Sequence, residues 1–455
     1  VNKLKRIWGH LRTSFWFVPS VIIALNIILA STLIQIDYTG GNHWLARWPR
    51  LFGVGAEGAR SMLSMIAGSM MTVVGVTFSM TLMILVLASS QYTSRIVRNF
   101  MNDRVTQVVL GIFAGIFTYC LLVLRTIRSG DEGGFVPSLA VSFGVVLALG
   151  GISVLIFFIH HIASSIEASS IIASVARDTI TAVHRLFPER LGRGPGDDAK
   201  DQIQLFLSKQ KWQAVTAVRD GYIQSVDNEL LLRLAREHET IVRMERGIGD
   251  FVVHNTTLAS MSMENPPEED MIAALREAYH IDRHRTVEQD PAFGIRQIVD
   301  MALRALSPST NDTTTGIMCV DYLTGILTRL AGRNIPSPYR YEEGHLRVIA
   351  IGPTFAGLAA EAFDQIRVSA VGNLAIMLRI LSGIETIAGM THNAEHLRVL
   401  REQIQEIAEL AQRSIQSPHD KTRFENRLER VRELLERASA LTGAFKPEVQ
   451  RVSSK

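Results

Sequence analysis

Four long stretches without a charged residue fill the first third of the chain. They cover positions 13–36, 61–94, 105–124 and 133–166, with 24, 34, 20 and 34 residues. Farther on, no such stretch exceeds 13 residues. Crossing the roughly 30 Å hydrocarbon core of a bilayer takes about 20 apolar residues, at about 1.5 Å of helical rise each. The early stretches therefore predict four transmembrane helices, and the later ones predict none. The first is too long for a cleaved signal peptide, and no small-residue cleavage site follows it. The fourth continues as an amphipathic helix over 163–184, with Ile166, Ile171, Val175, Ile180 and Val183 at helical spacing.

The second stretch carries an unusual face. Ser61, Ser64, Gly68, Thr72, Gly75 and Ser79 recur every three or four residues, on one stripe of a helix that is otherwise Met, Val, Ile and Leu. Such a row lets helices approach closely, and it would line a pore if several copies surrounded an axis. Both readings turn it away from lipid. No Asp, Glu, Lys or Arg interrupts the four stretches, whereas proton-coupled pumps and voltage sensors need such groups at membrane depth. Asn26, the carboxamide deep in the first span, is expected to make a helix–helix hydrogen bond.

After the membrane part the pattern changes. Positions 186–201 are rich in Pro and Gly and predict a linker. Alternating positions predict strands at 212–218, 222–226, 241–244, 251–253 and 257–261, with a helix over 228–239. From Asn265 onward helical spacing dominates: 295–306, 313–330, one apolar helix over 357–385, and a charged helical pair over 395–438 broken at Ser417-Pro418. A Pro-rich turn at 336–341 precedes a strand at 345–351. The fold class is thus a mostly α membrane protein with a cytoplasmic α+β region. Its parts are a four-helix transmembrane domain (1–166), an amphipathic helix and linker (167–210), a small β-rich module (211–264) and a mainly helical domain (265–455).

Charge sharpens this division. Residues 1–166 hold 12 Lys/Arg and 5 Asp/Glu, a net of +7. The totals of 47 and 44 leave 35 and 39 for residues 167–455, a net of −4. Seven cations (Lys3, Lys5, Arg6, Arg12, Arg95, Arg98 and Arg104) against five (Arg47, Arg50, Arg60, Arg125 and Arg128) place the N-terminus inside. Four spans then return the chain to the cytoplasm. The expected location is a bacterial inner membrane, with N-terminus and C-terminal domain cytoplasmic. Cys120 lies in the third span and Cys319 in the soluble part, so no disulfide is expected. The mixed signs of the C-terminal charges exclude nucleic acid as a partner.

The densest polar constellation is Asp290, Arg296, Asp300, Arg304, Asn311 and Asp312. Arg296, Asp300 and Arg304 form a ladder at four-residue spacing, and the remaining members suit helix caps. A ladder with a cap is the simpler reading; a ligand or subunit contact is the sharper one. His160 and His161 point about 100° apart on a helix and do not chelate together. No H-E-x-x-H, G-x-S-x-G, Walker loop or complete G-x-G-x-x-G is present. Neither catalysis nor a cofactor or metal is expected.

Two resemblances stand beside this reading. Gly221-Tyr-Ile-Gln and Gly249-Asp-Phe-Val-Val-His-Asn-Thr-Thr-Leu are similar to the barrel-sandwich pattern of lipoyl and biotinyl domains. No lysine stands at a hairpin tip, so a module for self-association is expected instead of a carrier. The chain as a whole resembles a bacterial family of predicted membrane proteins, domain of unknown function 2254. The resemblance rests on Val76-Thr-Phe-Ser to Ser89-Ser-Gln-Tyr, Arg98-Asn-Phe-Met, Thr106-Gln-Val-Val-Leu-Gly, Phe158-Ile-His-His-Ile-Ala and Leu186-Phe-Pro-Glu. It also rests on Arg285-Thr-Val-Glu-Gln-Asp-Pro-Ala-Phe-Gly-Ile-Arg-Gln-Ile-Val-Asp and Arg304-Ala-Leu-Ser-Pro-Ser-Thr-Asn-Asp. The last departs from the family form, which has Gly-Ile before Asn-Asp and Pro after it. The family implies a multi-span membrane protein without an assigned activity.

The expected function is a homo-oligomeric inner-membrane channel or pore-like protein with a cytoplasmic assembly domain. The alternative is a membrane-anchored scaffold or ligand sensor without transport. Expected partners are the lipid bilayer and further copies of the chain, with room for a small ion or ligand.

Overall fold

The structure, a computed structural model, describes residues 16–39, 55–91, 104–128, 135–165, 167–187, 205–333, 335 and 337–444. The basic residues Lys3, Lys5, Arg6, Arg12, Arg47, Arg50, Arg95 and Arg98, and positions 188–201 of the linker, lie outside them. The chain divides into two compact units, Val1–Ser170 and Ile171–Lys455.

The first unit holds four helices long and apolar enough to cross a membrane. They are α1 (Phe17–Tyr38), α2 (Ala56–Gln91), α3 (Arg104–Thr126) and α4 (Ser138–Ser165). Four crossings return the chain to its starting side. The 36 residues of α2 span about 54 Å, well beyond one bilayer core. α3 is the central helix and packs against the other three. Val109, Phe113, Ile116, Tyr119, Cys120 and Val123 are its buried face. Gly111 meets Pro19 and Ile22 of α1, and Gly115 meets Asn26. Both contacts advance together, so α1 and α3 run in the same direction. Asn26 Nδ2 donates to Ile22 O within its own helix at 2.9 Å. In place of the expected interhelical bond, the carboxamide bonds back to its own helix and packs against Gly115.

Polar groups close the helix ends. The Asp37 carboxylate, just past the first uncharged stretch, accepts from Leu139 N at 3.3 Å and Ala140 N at 3.0 Å. It thereby caps α4 from another helix. Arg60 Nη2 donates to Ile127 O at 2.8 Å, just beyond the end of α3.

The second unit opens with α5 (Ala168–Leu186), whose first three residues belong to the membrane unit. A β module follows: β1 (Trp212–Thr216), β2 (Gly221–Val226), α6 (Asn228–Glu237), β3 (Val242–Met244), β4 (Phe251–Val252), β5 (Thr257–Ser262), α7 (Glu269–Ala278) and β6 (Tyr279–Asp282). Its order is ββαβ twice over. β5 of the second half pairs with β1 and β3 of the first; β2 of the first half pairs with β4 and β6 of the second. All four pairings are antiparallel. Each half thus lends its second strand to the centre of the other half's sheet. The helices match as well: Ala-Arg-Glu at 235–237 corresponds to Leu-Arg-Glu at 275–277. Ile223, Leu231, Leu258, Met261 and Leu275 lie in the shared core. The module runs past residue 264 and contains two helices, unlike a barrel sandwich built of strands alone.

Then come α8 (Pro291–Ala305), α9 (Thr313–Ala331), β7 (Tyr339–Glu342), β8 (His345–Ile349), α10 (Phe355–Ser369), α11 (Leu374–Ala388), α12 (Ala394–Ser414) and α13 (Pro418–Ala444). β8 returns to the module and pairs parallel with β3, giving the sheet order β1-β5-β3-β8-β7. The single helix expected over 357–385 is two. Gly372 at φ +75° takes a left-handed turn, and the Asn373 side chain accepts from Ile376 N to cap α11. Cys120 and Cys319 are both buried free thiols.

Candidate functional site

The candidate membrane site is built on the two faces of α2. Ala59, Leu63, Ala67, Met70, Thr77 and Ile84 are buried. Ser61, Ser64, Gly68, Thr72, Gly75 and Ser79 are all exposed. At about 100° per residue the two sets lie on roughly opposite sides of the helix. Glycines show the contrast directly. A Cβ added at Gly111, Gly115, Gly144 or Gly151 would press on a neighbouring helix. Among the described residues, one added at Gly68 or Gly75 meets nothing within 4 Å, and Gly150 on α4 is likewise open. Large apolar side chains, Met65, Met71, Phe78 and Met83, flank the stripe and are exposed too. Thr72 Oγ1 donates to Gly68 O at 3.0 Å, so the hydroxyl is satisfied inside the helix.

In the second unit, the six polar residues occupy three places. Asp290 sits at the start of α8, where Oδ1 accepts from Phe293 N at 3.0 Å. Its Oδ2 accepts from Arg285 Nε at 2.8 Å and Nη2 at 2.7 Å. The guanidinium lies over the Phe293 ring, 5.1 Å from its centroid. Gly249, at φ +91°, packs against this pair; a Cβ there would fall 2.6 Å from Asp290 Oδ2. The ion pair therefore bridges the segment between β6 and α8, and the Gly249 turn of the β module packs against it. Asp290 is only 4% exposed, and burial raises its carboxyl above the ordinary value, opposed by Arg285 and by the bond from Phe293.

Arg296 and Asp300 lie farther along α8. Arg296 Nε meets Asp300 Oδ1 at 2.8 Å, and Nη1 reaches Glu361 of α10 at 3.4 Å. Arg304 is exposed beyond them. Asn311 and Asp312 form the turn into α9. Asn311 adopts φ +46°. Asp312 accepts from Thr315 N at 3.0 Å and Thr315 Oγ1 at 2.6 Å, and these bonds hold its carboxyl below the ordinary value. Asp290 and Asp312 thus cap two successive helices, and Arg296 ties α8 to α10.

His161 stacks on Phe157, and among the described residues no three His, Cys, Asp or Glu side chains gather as a metal set. Two features escaped the reading of the sequence. Gly111 and Gly115 form a G-x-x-x-G pair, a signal for close helix contact. Arg285 precedes Asp290 by five residues, a spacing that no helical ladder would flag.

The family described as "Predicted membrane protein (DUF2254)" matches residues 12–386. The uncharacterized protein Rv1290c of Mycobacterium tuberculosis is 30% identical over 97% of this chain and 84% of its own length. The uncharacterized protein Mb1321c of Mycobacterium bovis is similar to the same extent. No solved structure matches the chain. Matched over most of its length, the chain belongs to this family of predicted multi-pass membrane proteins.

Proposed function

We propose that the protein is a homo-oligomeric inner-membrane channel or pore-like protein, with the Ser61–Ser79 stripe of each α2 turned toward its neighbours or a central axis and the second unit as the cytoplasmic assembly domain. The supporting observation is the open stripe: among the described residues nothing lies within 4 Å of a Cβ built at Gly68 or Gly75, while Gly111, Gly115, Gly144 and Gly151 are filled from within the chain. Close-packing residues left unfilled in one copy are what a second copy fills. No catalytic step enters this reading.

A second reading is a membrane-anchored scaffold or ligand sensor, in which the stripe only packs. The bond from Thr72 Oγ1 to Gly68 O favours it, since it spends the hydroxyl proton inside the helix. Purified oligomers in planar bilayers separate the two. The channel reading expects unitary currents that change with Gly68→Leu and Thr72→Leu. Well-folded oligomers that stay silent refute it and leave the scaffold. A chain that is monomeric in gentle detergent and in nanodiscs refutes both uses of the stripe.

A further inference from the structure

The chain enters the β module through one helical turn, residues 205–208, that is fixed to the module on one side and bare on the other. On the fixed side, Leu207 O accepts from Trp212 Nε1 at 3.4 Å, and Gln210 Oε1 accepts from Ser262 Oγ of β5 at 2.7 Å. Lys209 N and Gln210 N close the turn onto Phe206 O and Leu207 O. On the bare side stand Leu205, 63% exposed, and Phe206, 50% exposed. At about 100° per residue Lys209 falls between these two, and Leu207 points away from all three. The anchored turn thus holds two large apolar side chains outward around a cation.

The charge of the segment has one sign. Between Asp201 and Asp220 the charged residues are Lys209, Lys211 and Arg219, with no acid among them. All three are exposed, as is Val218 beyond the end of β1. β5, which pairs with β1, sets Ser260, Met261 and Ser262 against it and no charge. Glu264 comes only after β5, where its carbonyl accepts from Gln213 Nε2 at 3.5 Å. Arg243 lies over the Trp212 ring at 4.2 Å, but Glu245 offsets it at 2.7 Å. Exposed apolar side chains beside lysines match an anionic lipid surface: the apolar groups enter the headgroup boundary, and the ammonium groups stay among the phosphates. A second copy fits less well, because a two-fold contact would set Lys209 and Lys211 against the same cations of the other chain.

We propose that the turn at 205–208, with Lys209 and Lys211, is a docking surface of the β module for anionic phospholipid. Leu205 and Phe206 enter the headgroup boundary, and the two lysines meet the phosphates. The four spans hold the chain at a bilayer, so lipid is offered at high effective concentration and a surface of this size suffices. The contact is separate from the stripe on α2 and stands whether or not the protein conducts.

Ser208→Cys in the full-length protein tests this. Ser208 is exposed and is not one of the docking side chains, while Cys120 and Cys319 are buried. An uncharged, water-soluble maleimide should label position 208 on the order of tenfold more slowly in nanodiscs with about one-third phosphatidylglycerol than in phosphatidylcholine nanodiscs. Glu343→Cys, in the exposed turn between β7 and β8, should react at one rate in both. Adding Lys209→Glu and Lys211→Glu to Ser208→Cys should remove the difference, and so should Leu205→Ser with Phe206→Ser. Equal rates in the two lipids refute the docking, and so does a difference that survives charge reversal. Slow labelling in detergent that deepens with protein concentration assigns the surface to a second copy and overturns the proposal. If the charge-reversed variant does not fold, salt at about 0.5 M decides, since it cuts the Debye length to about 4 Å. The difference should then collapse, and one untouched by salt refutes the proposal.

Discussion

The carboxamide of Asn26 on α1 occupies the space that Gly115 leaves on α3: a Cβ at position 115 would stand 2.5 Å from Asn26 Nδ2. One turn earlier, Gly111 gives the same room to Pro19 and Ile22. Gly115→Val is therefore expected to separate α1 from α3, at an overpacking cost of about 1–3 kcal/mol. A disulfide cross-link between cysteines placed on these two helices should form readily in the parent and poorly in the variant. Gly68→Ala, whose new methyl meets nothing within 4 Å among the described residues, should leave that cross-link unchanged.

Arg285 and Asp290 make a second prediction. Removing one member of a buried ion pair leaves the other uncompensated and costs about 3–5 kcal/mol. Arg285 is partly exposed, so Arg285→Ala should fall near the lower end. Asp290→Asn keeps an oxygen for the Phe293 amide and meets the burial that already favours the uncharged acid. It should be milder. Denaturant unfolding of the two variants should rank them in that order.

The imidazole of His396 predicts a pH dependence outside the membrane. It stacks on Phe355 at 4.0 Å and lies 3.1 Å from Thr391 Oγ1, and burial holds it below the ordinary histidine value. Between that lowered value and about 6.5 the unfolded chain binds a proton that the folded chain refuses. The contribution to stability is present above the unfolded value and shrinks as pH falls through this window. The melting temperature should drop from pH 7.5 to pH 5, and His396→Gln should flatten part of that drop.

Gly294 gives a fourth prediction. A side chain there runs into Thr179, so Gly294→Val should lift α5 from α8 and expose residues 171–187 to protease. An equal rate of cleavage in the parent and the variant would refute the contact.

The sequence revealed those parts of the fold that depend on runs and periods. Four uncharged stretches became α1 to α4, and the alternating positions became β1 to β5. Chain-distant pairing was not legible. The parallel partnership of Val242 with Val348 leaves no local mark, and the prolines at 336 and 338 give the start of β7 the signature of a turn. The break at Gly372-Asn373 was lost inside an apolar run, because a short capped turn barely disturbs the period on either side. At the candidate site the stripe was legible from spacing. Its exposure was not, since that depends on which face α3 takes. The role of Asp290 was half legible: its place before Pro291 marks a cap, but nothing in a helical period joins it to Arg285 or Gly249.

The doubled ββαβ arrangement of the β module has a topological consequence. β2 lies between β4 and β6, and β5 lies between β1 and β3. The two halves hold each other like hooked fingers, and pulling them apart means opening both sheets at once. A single cut in the segment 245–250 would sever the chain without freeing either piece. The nicked protein should keep its shape and come apart only in denaturant, so at this point an unbroken backbone is a convenience of synthesis more than a requirement of the fold.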